Sequence, residues 1–266
     1  MKIQFQQEFQ TKWKKYFTGA ELPVAYYYSD TVTAEDRADS QEEKHCVIAT
    51  FQRIRQGHTF VYEANSPGCF GFKRYSGFSQ VLKPKPEYWM SCGIAGELGG
   101  QRYKKSPDLV GRYLECHPAF EAGGRFLVFK RWDQLGVDNR PCTVIFFVTA
   151  DILSGLVALA NYDRPDPDGV VSQMGTGCAT IVNYPYWEAQ ADQPRCVLGM
   201  FSLSSRPEVP ADALTFTIPM ARFEQMVANM DESFLITKAW GHVRARIQHA
   251  GVLKFDDSPP AGQCCS

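Results

Sequence analysis

An α/β (or α+β) fold, with mixed sheets packed against helices, is what this 266-residue sequence predicts. Three observations predict it. Strand-type and helix-type segments alternate along the chain, an order that favours helices layered on a sheet. Hydrophobic residues make up 44% of the sequence, enough to fill a core between such layers. One order of segments also occurs twice: an apolar strand, an amphipathic helix, a second strand-like stretch, then a turn holding a cysteine beside glycine. The first passage runs from Pro23-Val24-Ala25-Tyr26-Tyr27-Tyr28 to Pro67-Gly68-Cys69-Phe70-Gly71, the second from Thr143-Val144-Ile145-Phe146-Phe147-Val148 to Gly175-Thr176-Gly177-Cys178. The chain therefore reads as one globular unit over 1–266. Two related halves, at about 20–120 and 121–250, would flank a central cleft, and 256–266 would form a flexible tail.

Each element has its own signal. Phe5, Phe9, Trp13 and Phe17 recur every four residues and mark one stripe of a helix over 1–17, stopped by Gly19. Residues 22–28 are aromatic and β-branched, hence a strand, and the acidic run 29–41 reads as a surface loop. Ser40 with Glu43 has the spacing of a capping box, opening a helix with Val47, Phe51 and Ile54 on one face and Gly57 at its end. A short strand over 58–62 leads to the first Gly-Cys turn. Residues 71–100 are broken by glycines, prolines and lone aromatics and read as a loop over a groove, locally basic and aromatic at Lys73-Arg74-Tyr75 and Lys83-Pro84-Lys85-Pro86.

Ser106-Pro107-Asp108 starts a helix with a cap and proline at its first position. Residues 125–130 form a strand after Gly123-Gly124, and the apolar run 143–148 should be central in its sheet. Ile152, Leu153, Leu156, Val157 and Ala160 line a helix, 164–169 is a turn, and 170–174 leads to the second Gly-Cys turn. Pro219 opens a helix whose stripe is Met220, Phe223, Met226, Val227 and Met230, a core pattern. A last helix spans about 237–250.

Composition excludes some functions. Net charge is −1 and the pI about 6.5, so no basic surface is available to neutralise phosphates, and no nucleic-acid partner is expected. No apolar run approaches the ~20 residues of a membrane span, and the polar start lacks the apolar middle of a signal peptide. A cytoplasmic protein is expected. Nine cysteines, an odd number without tight spacing, argue for thiols in a reducing compartment and against a disulfide scaffold. No CxxC pair suggests a zinc ribbon, and Cys264-Cys265-Ser266 resembles a lipidation signal only loosely.

Chemistry concentrates on Cys46, Cys69 and Cys178. Cysteines beside glycine sit on tight backbone with little bulk around the sulfur. Thiolates from separate elements can converge on zinc, copper(I) or an iron–sulfur cluster, so a transition metal or cluster is the cofactor these residues suggest. His45 adjoins Cys46, but neighbours on a helix point about 100° apart and form no catalytic dyad. Gly175-Thr176-Gly177 is a weak phosphate cradle, because no Lys-Ser/Thr follows it. Arg206 follows a small polar run, Phe201-Ser202-Leu203-Ser204-Ser205. It would either form a surface ion pair or face the cleft and bind a carboxylate or phosphate.

The order of landmarks resembles a known family. Pro23-Val24-Ala25 in the first strand is followed by Cys46, Arg55-Gln56-Gly57 and Cys69-Phe70-Gly71. Val144-Ile145-Phe146, Cys178, Pro185-Tyr186, Leu198-Gly199, Arg206 and Ile218-Pro219 then come in turn. Over about residues 22–230 the chain is similar to the uncharacterised ArCR proteins, the family of domain of unknown function 169. The resemblance implies a fold and a set of landmarks but no activity, and it groups Cys46, Cys69 and Cys178 as recurrent cysteine positions. Where members follow Leu-Gly with another cysteine, this chain has Met200, and Cys196 lies near in sequence. The expectation is a protein binding a metal, cluster or small cofactor through Cys46, Cys69 and Cys178, with Gly71, Tyr186 and Arg206 at the ligand. The alternatives are a cysteine-dependent enzyme acting on a small anionic metabolite and a structural scaffold.

Overall fold

The computed structural model describes residues 3–40, 46–82 and 84–253. Helix α1 (Ile3–Tyr16) is followed by β1 (Val24–Ser29), α2 (Ala34–Asp39), α3 (Val47–Arg55) and β2 (Phe60–Glu63). Next come α4 (Phe70–Tyr75), α5 (Pro86–Trp89), the ribbon strands β3 (Gly93–Ile94) and β4 (Leu98–Gly99), α6 (Pro107–Cys116) and β5 (Phe126–Arg131). The remainder is β6 (Thr143–Val148), α7 (Ala150–Ala160), β7 (Val170–Val171), a π-helical turn (Ala179–Asn183), α8 (Tyr184–Glu188), β8 (Cys196–Gly199), β9 (Leu214–Pro219), α9 (Met220–Asn229) and α10 (Lys238–Ala250).

Among the described residues seven strands form one mixed sheet in the order β2-β5-β1-β6-β9-β8-β7, and the fold is α/β as expected. Neighbours are antiparallel except β7 and β8, which run parallel. β6 is the fourth of the seven, and all six of its residues are buried. Successive side chains alternate between two faces of the sheet, so the strands feed two cores. Ala25, Tyr27, Val128, Val144, Phe146, Phe216 and Ile218 belong to one core, which α1, α7, α9 and α10 cover. Val24, Tyr26, Leu127, Phe129, Ile145, Phe147 and Val197 belong to the other, under α3, α4, α6 and the π-helical turn.

Several sequence expectations hold closely. Phe9 and Trp13 are buried on α1, and Gly19 after it has φ of +91°, a value glycine adopts without strain. Ser106 caps α6 by accepting from the Leu109 N–H at 3.4 Å. Thr237 caps α10 through the Trp240 N–H at 3.3 Å.

Other expectations are corrected. The segment 29–41 contains α2, not only loop. This helix buries no residue and so has no hydrophobic period to read; Thr33 caps it, and the Lys130 ammonium holds Asp36 at 2.7 Å. The capping box does not open α3: Ser40 closes α2, Cys46 is the N-cap of α3, and Glu43 lies outside the described residues, as do His45, Lys83 and Cys264-Cys265. The loop at 71–100 contains most of α4, all of α5 and the β3–β4 ribbon, elements too short to show a period. β8 and β9 form strands at the Leu198-Gly199 and Ile218-Pro219 landmarks.

Candidate functional site

Three helical elements on one face of the sheet bring the cysteines together. Cys46 is the N-cap of α3, Cys69 the N-cap of α4, and Cys178 the residue before the π-helical turn; none uses its side chain as a cap. All three line one cleft, together with Gly71, Tyr75, Tyr103, Tyr113, Met174, Thr176, Ser202, Ser204 and Ser205. Leu82, Trp89 and Met90 close the side formed by the segment around α5. The cleft is narrow: about 30 Å³ is open to the centre of a water-sized sphere, room for a very small occupant as it stands.

Each cysteine is positioned from behind. The far end of α3 is pinned by Arg55, which donates two hydrogen bonds of 2.6 Å to the Glu21 carboxylate and stacks 4.8 Å from the Phe147 ring. Burial raises the Glu21 carboxyl above its usual value, and the Arg55 guanidinium opposes that rise. α4 buries Phe72 edge-on against Tyr62 at 4.6 Å, and its Arg74 donates to the His117 carbonyl at 3.1 Å, joining α4 to the end of α6. The π-helical turn is wholly buried. Thr176 accepts from the Ala179 N–H at 3.2 Å, and its hydroxyl lies 3.3 Å from the Cys178 sulfur. Such turns are rare and concentrate at functional sites.

Glycine is needed at Gly177 because of what surrounds it. A Cβ there would stand 2.9 Å from Ser205 Oγ, 3.0 Å from Ile48 Cγ1 and 3.1 Å from Met200 Sδ. Met200 is fully buried with φ of +74°, a strained value for a residue with a side chain.

Around the thiols stands a set of protonated phenols. Tyr113 and Tyr184 share a 2.9 Å hydrogen bond, and Tyr184 donates to the Met174 carbonyl at 3.0 Å. Burial, reinforced by neighbouring Tyr113 and then Cys178, holds the Tyr75 hydroxyl well above the usual phenol range. The Tyr75 side chain is fully buried, lines the cleft and has the Tyr113 hydroxyl as its polar neighbour. Tyr103 and Ser202 meet Ser204 at 2.9 and 3.1 Å and form the hydroxyl side. Among the described residues no Asp, Glu, His, Lys or Arg lines the cleft.

Of the residues expected at the site, Cys46, Cys69, Gly71 and Cys178 line the cleft, while Tyr186 and Arg206 do not. Tyr186 stacks on Phe120 at 3.8 Å. The Arg206 guanidinium donates to the carbonyls of Ala213, Pro210 and Ala211, where it fastens its own loop. Cys196 belongs to the opposite core, 3.7 Å from Met226 Sδ, with burial pushing its thiol up to about 12. The Gly-Cys turns also hold different places in the topology: Cys69 follows β2, whereas Cys178 precedes β8. Tyr75, Tyr103 and the serines were not singled out from sequence. Tyr75 stood out only as the aromatic member of Lys73-Arg74-Tyr75, since one tyrosine in a six-residue helix has no period that marks its buried side.

The model of the family described as uncharacterised ArCR, domain of unknown function 169, matches residues 14–229. The chain belongs to this family. No curated protein and no solved structure matches it. For this DUF169 protein, among the described residues, no helix is long and apolar enough to cross a membrane. Nor do three or more His, Cys, Asp or Glu side chains there form a ready-made metal-holding group.

Proposed function

We propose that this DUF169 protein binds a thiophilic group, a soft metal ion or small metal–sulfur unit, through Cys46, Cys69 and Cys178. The observation that carries the reading is that three cysteines from separate helical elements line one narrow cleft. Among the described residues of this lining, which carry no charge, sulfur is the only soft donor present in quantity, and thiolate and thioether donors select copper(I), zinc and iron–sulfur units. Met174, at the same cleft, adds a thioether. Because the cysteines are not already set as a metal-holding group, occupation includes closure of Cys46 and Cys69, both only partly buried, onto Cys178. The enzyme reading lacks a base, since no carboxylate or imidazole lines the cleft among the described residues.

Metal analysis and optical spectra of anaerobically purified protein test the reading, followed by titration with cobalt(II). Thiolate-to-cobalt charge transfer that disappears when Cys46, Cys69 and Cys178 are all changed to serine is the expected result. A wild-type protein that purifies without metal and whose cobalt titration matches the triple variant overturns it. Binding should also protect the fold, by about 2.7 kcal/mol at a hundredfold excess over the dissociation constant.

A further inference from the structure

The central sheet has an internal twofold order. Outward from its middle the strands read β1-β5-β2 on one side and β6-β9-β8 on the other. The register agrees. In the central pair Ala25 faces Val144, and the flanking pairs Val24–Ile145 and Tyr26–Thr143 exchange when the halves are exchanged. The first residue of β1 faces the last of β5, and the first of β6 faces the last of β9. Phe60 of β2 and Val197 of β8 each face the residue two before those strand ends, Phe129 and Thr217. These pairings make Tyr62 and Gly199 equivalent.

The same order relates the cleft residues. Cys46 begins the helix that leads into β2, and Cys178 begins the helical segment that leads into β8. After β2 the first helical element is α4, with Cys69 as its N-cap. After β8 it is the 3-10 turn Arg206–Glu208, with Ser205 as its N-cap. Cys69 lies seven residues beyond Tyr62, and Ser205 six beyond Gly199. All four residues line the one cleft. Ser205 is 3% exposed, and its Oγ stands 2.9 Å from where a Cβ on Gly177 would be, beside Cys178.

We infer that Ser205 is the fourth ligand position of the site, the second half's counterpart of Cys69. The inference rests on the preceding reading of the cleft as a site for a thiophilic metal. Each half then supplies two residues, Cys46 with Cys69 and Cys178 with Ser205, and the ligand sits between the halves in a three-sulfur, one-oxygen set.

Cobalt(II) added anaerobically to the wild type, Ser205→Cys and Ser205→Ala distinguishes this inference from the reading beneath it. Ser205→Cys should raise the charge-transfer absorbance per bound cobalt by about a third, as a fourth thiolate joins three, and tighten binding at least about tenfold. Ser205→Ala should keep the three-thiolate spectrum but bind about tenfold more weakly. If the wild type binds cobalt and both variants match it in spectrum and affinity, Ser205 is not a ligand position and the three-thiol reading stands alone. If only Ser205→Cys binds, the variant has created a four-thiolate site that the native chain lacks, and both the wild-type metal reading and the ligand role of Ser205 fall. If none binds, both fall. A Ser205→Cys variant that fails to fold leaves the decision to the affinity of Ser205→Ala.

Discussion

The two faces of the sheet are built from the same strands and differ in how they are covered. On one face α1, α7, α9 and α10, helices of ten to fourteen residues, carry regular apolar stripes onto a dense aromatic core. Trp13 stacks on Phe17 at 4.2 Å, and Phe9 meets Phe223 at 4.9 Å. On the other face the cover is α3, α4, α6 and a π-helical turn, between five and ten residues each. Short elements have many ends, and at three of those ends stand the cysteines. Long helices bury area efficiently; short ones deliver several chain termini to one place. Both faces bury a full aromatic core, and the second also holds the candidate cleft.

The largest expected effect tests the first half of that statement. Trp13 is 2% exposed, and Trp13→Ala should cost about 3–5 kcal/mol, read by denaturant unfolding. The folded fraction should keep its cobalt spectrum. A spectrum lost in step with stability would show that the faces are not separable.

Next in size is Gly177→Ala. The added methyl meets Ser205, Ile48 and Met200 within 3.1 Å, and overpacking of this kind costs about 1–3 kcal/mol. Here binding should fall further than stability does, because the displaced groups are those of the cleft.

Two cysteines allow the same change to be made on both faces. Cys196→Ser puts a hydroxyl into the aromatic-side core and should cost about 1–3 kcal/mol without altering binding. Cys178→Ser, with the Thr176 hydroxyl beside it, should cost less than about 1 kcal/mol and weaken binding severely. Equal effects on binding would remove the distinction between the faces.

The smallest effect concerns acid. Asp231 is lowered to about 2 by the Tyr16 hydrogen bond first and then by Lys15, with burial opposing. A depressed carboxyl stabilises the fold above its ordinary value near 4 and loses that contribution as pH falls through about 2. Since Asp231 is half-exposed, the amount is below about 1 kcal/mol. Tyr16→Phe should therefore flatten the acid side of the melting-temperature profile between about pH 4 and pH 2 and leave the cleft untouched. An unchanged acid limb would mean that Tyr16 contributes nothing there.

Legibility in the sequence follows the same division. The stripe of α1, the buried run of β6, the Ser106 cap and the methionine face of α9 are all repeated local patterns, and each was readable. α2 was not, because a helix that buries nothing has no apolar period; α4 and α5 were not, because six and four residues complete too little of one. At the cleft, the residue types of Cys46, Cys69 and Cys178 were legible from their settings. Tyr75 and Ser205 were legible only as members of the Lys73-Arg74-Tyr75 and Phe201-Ser202-Leu203-Ser204-Ser205 runs, neither of which marks a cleft position.

By itself the sequence determined the elements whose burial repeats along the chain, and it marked cysteines that stand where the backbone is tight. Only the tertiary structure decided which of them meet. Cys196 is eighteen residues from Cys178, yet alternation along β8 turns it to the opposite core, while Cys69, more than a hundred residues away, shares the cleft. Arg206 likewise spends its donors on three carbonyls of its own loop. The physical reason is that a strand fixes side by parity and a helix fixes direction by its end. Both act on neighbours that sheet pairing brings from distant parts of the chain.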